Sequence, residues 1–395
     1  MSFEPVKRLA VWRTRADGGR CRVGTLAQNL QGVFFAYDPD YLTDGANLSP
    51  FKLDFASALQ PAPRAPHQGL HGVFADSIPD GWGLLLMDRV FRQAGILPAQ
   101  ITAMDRLAFV GDSGMGALSY EPVSAFSQAD DGTLLRVGEL GLQAQAVFDG
   151  HTREVLAALV AAGSSGGARP KAQLYLDADH PDTCSTRPQA GLRPYLVKFT
   201  SAQLALGHEE GLCEAVYLTL AATASIDVPG WQLLDAPARS GAKRWLALAR
   251  FDTVQPPEQQ REGRLHLHSA CGLLDADFRL PSLDYEDLIK ASSLLCKSPA
   301  AGQQQFRRAI FNLFALNQDD HSKNWAFLQD DGGQWSLAPF YDVTFSPSPY
   351  GEHATAFAGF GKQPPRKAME RLAAHANFAN WTQARAVIDE VVDAI

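Results

Sequence analysis

A helical apolar run at residues 306–316 opens directly onto eight polar positions, Asn317-Gln318-Asp319-Asp320-His321-Ser322-Lys323-Asn324. One Asx side chain is enough to make a turn. Two adjacent acids, an imidazole, an ammonium and flanking amides exceed that need. The loop therefore reads as chemical rather than connective, and the surrounding fold has to present it.

From Asp319 to Asn324 the spacing is D-x4-N. In protein-kinase loops this spacing places a carboxylate to orient an attacking hydroxyl and an amide oxygen to help hold Mg²⁺. Such a loop needs a second acid downstream at a strand end, and Asp342 in Ala338-Pro339-Phe340-Tyr341-Asp342-Val343 has that position. Mg²⁺ prefers few carboxylates together with phosphate and water oxygens. Upstream, Lys198 is bracketed by Val197 and Phe199. Strand alternation puts those two on one face and the lysine on the other. Gly166-Gly167 forms a turn between helix and strand that can direct backbone N–H groups at an anion. It is not a Walker loop, because Gly-x4-Gly-Lys-Ser/Thr is absent. Glycine turn, lysine, D-x4-N and metal acid occur in the order phosphoryl transfer requires.

Composition bounds the partners. The 395 residues carry 35 Lys+Arg against 43 Asp+Glu, a net charge of −8. The chain is thus a poor polyanion binder by itself, since phosphate contacts need clustered cations. No run of about 18 apolar residues suggests a membrane span, and no leader is evident. Five scattered cysteines without a CxxC pair fit free thiols in a reducing cytoplasm.

Short β-forming runs at 9–12, 22–26 and 32–37, with a turn at Asp17-Gly18-Gly19, predict a β-rich start. A boundary is expected at 124–133. Helices are expected over 84–91, 151–162, 209–224, 285–295, 303–316 and through 366–395, and strands over 172–176, 195–199 and 243–251. Asp80-Gly81-Trp82-Gly83 reads as a helix start with a packed Trp82. Among Glu209, Glu210 and Glu214, the last could pair with Lys198, although a solvated helix face explains all three.

These residues resemble the HipA family of bacterial serine/threonine kinases, toxins of type II toxin–antitoxin systems. The similarity is carried by Gly166-Gly167-Ala168-Arg169-Pro170-Lys171, Tyr195-Leu196-Val197-Lys198-Phe199, Asp319-Asp320-His321-Ser322-Lys323-Asn324 and Pro339-Phe340-Tyr341-Asp342-Val343. In the N-terminal part it is carried by the stretches 76–83 and 106–118. The resemblance implies Asp319 as catalytic base, Asn324 and Asp342 as Mg²⁺ ligands, and Lys198 on the ATP phosphates. It also implies Gly166, Gly167, Ala168, Lys171 and His321 around ATP, with His321 orienting the loop. Ala249 and Phe251 would lie at the adenine hinge, and many members carry Glu where Ala249 stands. Autophosphorylation would fall on Ser164, with Ser165 the alternative.

The implied fold is α+β: a bilobal protein-kinase-like core with an N-terminal β-rich subdomain and a mainly helical C-terminal lobe. The expected divisions are 1–122, 123–252 (glycine-rich loop and ATP lysine) and 253–395 (catalytic loop and metal motif). The implied activity is ATP- and Mg²⁺-dependent phosphorylation of a translation-related protein, an aminoacyl-tRNA synthetase among the candidates, with growth arrest. Implied partners are a HipB-type helix-turn-helix antitoxin and, mainly through it, DNA. A non-toxin kinase of the same fold and an ATP-binding pseudokinase bridging a repressor are the alternatives.

Overall fold

The computed structural model describes residues 3–127, 132–163, 165–254 and 261–395. Its N-terminal part is built on a five-stranded antiparallel sheet in the order Gln60–Pro61, Gly32–Tyr37, Arg20–Asn29, Arg8–Thr14, Leu118–Glu121. The expected turn closes the first hairpin: Arg15 N–H donates to Gly19 O, and Gly18 sits at φ 79°. Strand alternation turns Leu9 and Val11 inward with Val23, Leu26 and Phe35. The helices Gly72–Ala75 and Ala103–Val110 cover that face through Phe74, Met104 and Leu107.

A second, six-stranded antiparallel sheet runs Trp231–Asp235, Arg244–Ala249, Leu192–Lys198, Lys171–Asp177, Thr183–Ser185, Leu135–Arg136. The helix Val137–Phe148 packs on one face, where Val197 and Phe199 join Leu174 and Trp245. The other face gathers Leu196, Leu246 and Leu248 under Ala215 and Leu218 of the helix Glu210–Thr223. Lys198 lies on this second face, as alternation predicts. The strand Trp231–Asp235 and the helix Val137–Phe148 were not expected from sequence, and the expected helix over 151–162 is shortened to Ala157–Ala161.

The C-terminal lobe is mainly helical. Tyr285–Leu295, Pro299–Ala315, Arg366–His375 and Trp381–Ala394 enclose Leu288, Phe306, Ile310 and Phe311. It also holds a small sheet, His266–Ser269, Ala326–Gln329, Trp335–Leu337. The long helix has Pro299 at its first position, where the missing N–H costs nothing. It ends on Leu316 at φ 55°, a left-handed cap usually filled by glycine. The chain is thereby turned sharply into the polar loop.

The N-terminal sheet is fastened to the C-terminal lobe by buried polar contacts. Arg13 donates to Gln329 Oε1 at 3.0 Å and to the Asp330 carbonyl at 2.8 Å. Asp76 accepts from His268 Nδ1 at 2.7 Å and from the Ser269 amide at 2.7 Å, and His268 Nε2 meets Ser49 Oγ at 2.9 Å. Ser49 and His268 are fully buried, so this Ser–His–Asp chain joins domains rather than attacking substrates. Gly116 N–H donates to Asp252 at 2.6 Å, tying the same subdomain to the link between lobes.

Candidate active site

The six-stranded sheet and the C-terminal lobe face each other across a cleft, and the N-terminal subdomain supplies part of its wall through residues 76–80 and through Met115, Ala117 and Leu118. One end is apolar, lined by Leu196, Leu248, Ala249, Phe251, Leu267 and Tyr341. Phe251 and Tyr341 stack with ring centroids 5.5 Å apart. The other end is polar and is lined by Lys171, Lys198, His321, Asn324 and Asp342, whereas Asp319 is not among its lining residues.

Lys198 is the centre of that end. Its Nζ donates to Glu214 Oε1 at 2.7 Å and Oε2 at 2.8 Å, and to Asp342 Oδ1 at 2.8 Å. The lysine and Glu214 are both buried. Burial alone would neutralise Lys198, but Asp342 and Glu214 override it and raise its pKa. Burial likewise lifts the Glu214 carboxyl, with Lys198 opposing. Asp342 is desolvated too, yet Lys198, Lys171 and Arg169 hold it far below the usual carboxylate range. Asp342 has φ 56°, an uncommon conformation for a non-glycine residue and one that recurs at functional sites. Of the three helix glutamates, the structure selects Glu214 for Lys198. Glu210 meets Arg169 at 3.1 Å.

The paired acids of the polar loop separate cleanly. Asp320 is buried and accepts from Tyr285 Oη, from His353 Nδ1 at 3.0 Å and from Thr355 N–H at 3.1 Å. Those bonds hold the loop on the lobe. Asp319 points its carboxylate outward, with its side chain 61% exposed and Oδ1 3.9 Å from His321 Nε2. Asn324 donates through Nδ2 to Asp319 O at 2.7 Å, which fixes its amide plane and leaves Oδ1 as its ligating atom. Asn324 and Asp342 both line the cleft. Their donor set, one carboxylate and one amide oxygen, suits a hard divalent cation.

Gly166 and Gly167 stand at the cleft mouth, with Gly167 at φ 97°. Lys171 folds back and donates to Gly166 O at 2.6 Å. Burial pushes its pKa down to about 8, with Asp342 opposing and the neighbouring Lys198 assisting. Gly167 N–H donates to the Asp80 carboxylate. His321 and Ser165 also line the cleft, whereas Ala168 is exposed and does not. Ser164 lies outside the described residues. Asp80 and Lys323 were not picked as site residues from sequence. Lys323 stands inside the motif string, but nothing in spacing links it to Asp80, 243 positions earlier.

An α+β, bilobal protein-kinase-like core carrying an N-terminal β subdomain is the class this fold defines. Family comparison agrees. The HipA N-terminal domain matches residues 18–121 and the HipA-like C-terminal domain matches residues 163–395. The chain belongs to the HipA family. It is 26% identical over 201 residues to a Haemophilus influenzae protein named "Putative kinase", covering 48% of this chain and 54% of that one. It is 28% identical over 189 residues to "Putative kinase Y4dM" of Sinorhizobium fredii, covering 45% and 43%. The chain spans about half the length of these curated relatives. Its fold is similar to that of HipA from Shewanella oneidensis MR-1, solved with HipB and operator DNA. That match has a TM-score of 0.64 and 17% identity, and covers 97% of this chain and 91% of that one.

Proposed function

We propose that this protein is an ATP- and Mg²⁺-dependent protein serine/threonine kinase. The observation that carries the reading is Lys198, held at once by Glu214 and Asp342 in a cleft that also presents Asn324, five residues after Asp319 on the same loop. The apolar end between Leu248 and Tyr341 takes the adenine, with Ala249 and Phe251 beside it. Lys198 and Lys171 meet the phosphates, and Asn324 Oδ1 and Asp342 hold the metal. Mg²⁺ supplies charge neutralisation on the polyphosphate. Asp319 orients the attacking hydroxyl and accepts its proton. Its exposure leaves room for a protein side chain to approach.

Membership of the HipA family supports a toxin role. In that role a translation-related protein is phosphorylated, and serine autophosphorylation at Ser164 or Ser165 silences the enzyme. The similarity to a HipA solved with HipB and DNA supports a HipB-type antitoxin as partner. With a net charge of −8, DNA contact falls mainly to that partner. Among the described residues no helix is long and apolar enough to cross a membrane, and a cytoplasmic location is part of the proposal. The decisive experiment is transfer of ³²P from ATP, read with mass spectrometry of residues 163–171. Asp319→Asn is expected to abolish transfer while leaving nucleotide binding, and retained transfer would overturn the base assignment. Nucleotide binding by the wild type without any transfer would favour a pseudokinase instead.

A further inference from the structure

Across the cleft mouth, one carboxylate from the N-terminal subdomain touches both sides of the kinase core. Asp80 Oδ2 accepts from Lys323 Nζ of the catalytic loop at 2.7 Å, and Oδ1 accepts from the Gly167 N–H of the glycine turn. The contact is built rather than incidental. Trp82 N–H donates to Gly167 O at 3.0 Å, and its indole N–H donates to Lys171 O at 2.8 Å. Gly81, at φ 45°, lies so close that a Cβ there would come within 2.6 Å of Gly167 O. Lys323 has its ammonium over the Phe278 ring at 4.5 Å and its carbonyl accepting from Tyr341 Oη at 2.7 Å. Asp80 is thus its acidic partner at the cleft.

We propose that Asp80 is a positioning residue for phosphoryl transfer. It holds Lys323 and the glycine turn in register across the cleft, so that the catalytic centre is completed by the N-terminal subdomain. The physical reason is geometric. A lysine side chain has four rotatable carbons, and an unanchored ammonium samples many positions. Lys323 belongs to the loop that carries Asp319 and Asn324, and displacing catalytic groups by about 1 Å can cost on the order of 10²-fold in rate. A fixed carboxylate 2.7 Å away removes that freedom before substrate arrives. The inference rests on the kinase reading of this cleft.

Asp80→Asn keeps the shape and an acceptor for Gly167 but removes the charge that holds Lys323. It is expected to lower kcat by roughly 10- to 100-fold while KM for ATP stays within about threefold. Asp80→Glu, which retains the carboxylate, is expected to recover most of that kcat. In the cycle with Lys323→Gln, the double variant is expected to be no worse than Lys323→Gln alone, because the two act as a unit. Independent of turnover, acylation of Lys323 in nucleotide-free protein, followed by mass spectrometry, is expected to accelerate several-fold in Asp80→Asn, with Lys243 as the exposed reference. Wild-type kcat in Asp80→Asn, multiplicative losses in the double variant, or unchanged labelling of Lys323 would each overturn the proposal. If the wild-type protein transfers no phosphate at all, the kinase reading falls, and the labelling arm still decides whether Asp80 holds Lys323.

Discussion

Lys171 and Lys198 are directly opposite each other on adjacent antiparallel strands. Like charges in that register repel, and both lysines are buried. Acids settle the conflict unequally. Lys198 takes Glu214 and Asp342 as direct partners, whereas Lys171 is left with the Gly166 carbonyl. The strand pair therefore holds one firmly charged lysine and one close to losing its proton.

A pH dependence follows. The folded-state pKa of Lys171 is depressed to about 8 from an ordinary 10.5. Between those values the unfolded chain binds the proton and the folded one does not, so this group makes stability rise with pH from about 8 to 10.5, and its destabilising effect is complete once the pH is below about 8. An incoming polyphosphate reverses the balance by favouring the ammonium. Nucleotide binding at pH 8–9 is expected to take up a proton, measured by titration calorimetry in buffers of different ionisation enthalpy. Lys171→Met should abolish the uptake.

Removing Glu214 leaves a buried ammonium with one acid instead of two. Breaking a buried pair typically costs about 3–5 kcal/mol. Because Asp342 remains, Glu214→Ala is expected near the low end, about 3 kcal/mol in urea unfolding. A loss below roughly 1 kcal/mol would mean the pair is not formed in solution.

The adjacent acids Asp319 and Asp320 should respond in opposite ways. Asp320 anchors Tyr285, His353 and Thr355. Asp320→Ala strands those donors and is expected to cost about 3–5 kcal/mol, seen as a large fall in Tm. Asp319→Asn should leave Tm nearly unchanged and eliminate phosphate transfer.

Docking of the N-terminal subdomain can be loosened without touching the cleft. A Cβ at Gly72 would overlap the backbone of Gly272 at its carbonyl, where no side chain can yield. Gly72→Ala is expected to destabilise by about 1–3 kcal/mol, with faster proteolysis between the subdomain and the core. Unchanged thermal denaturation would show that the two parts do not meet as described.

Much of this protein is readable from local pattern. Alternation around Lys198 placed it opposite Val197 and Phe199, because a strand has a period of two and only one face could join Trp245. Helix 285–295 was legible to the residue from sequence, and the structure shows Asp284 capping it by accepting from Glu286 N–H. The polar loop after residue 316 marked the site, since eight such residues had no connective use. Other elements were decided by contacts across the chain. Helix Val137–Phe148 contains Gly138 and Gly141, which weaken intrinsic helicity by about 1 kcal/mol each. Gly141 is nonetheless required, because a Cβ there would overlap the Trp245 ring. Strand Trp231–Asp235 has no alternating pattern and exists through its pairing with Arg244–Leu248.

The same division runs through the site. Sequence alone determined which residue types stand in which order: the glycine turn, Lys198, the D-x4-N loop and Asp342. Their spacing along the chain is itself the constraint. The spacing had already pointed to Asp319, and the structure adds that Asp320 is the buried anchor beside it. Only the tertiary structure chose Glu214 over its neighbours as the partner of Lys198, and Asp80 as the anchor of Lys323. Each of those choices depends on which side chains are desolvated and which charged groups lie beside them. Burial and through-space distance are set by residues as much as 243 positions apart, which no local pattern encodes.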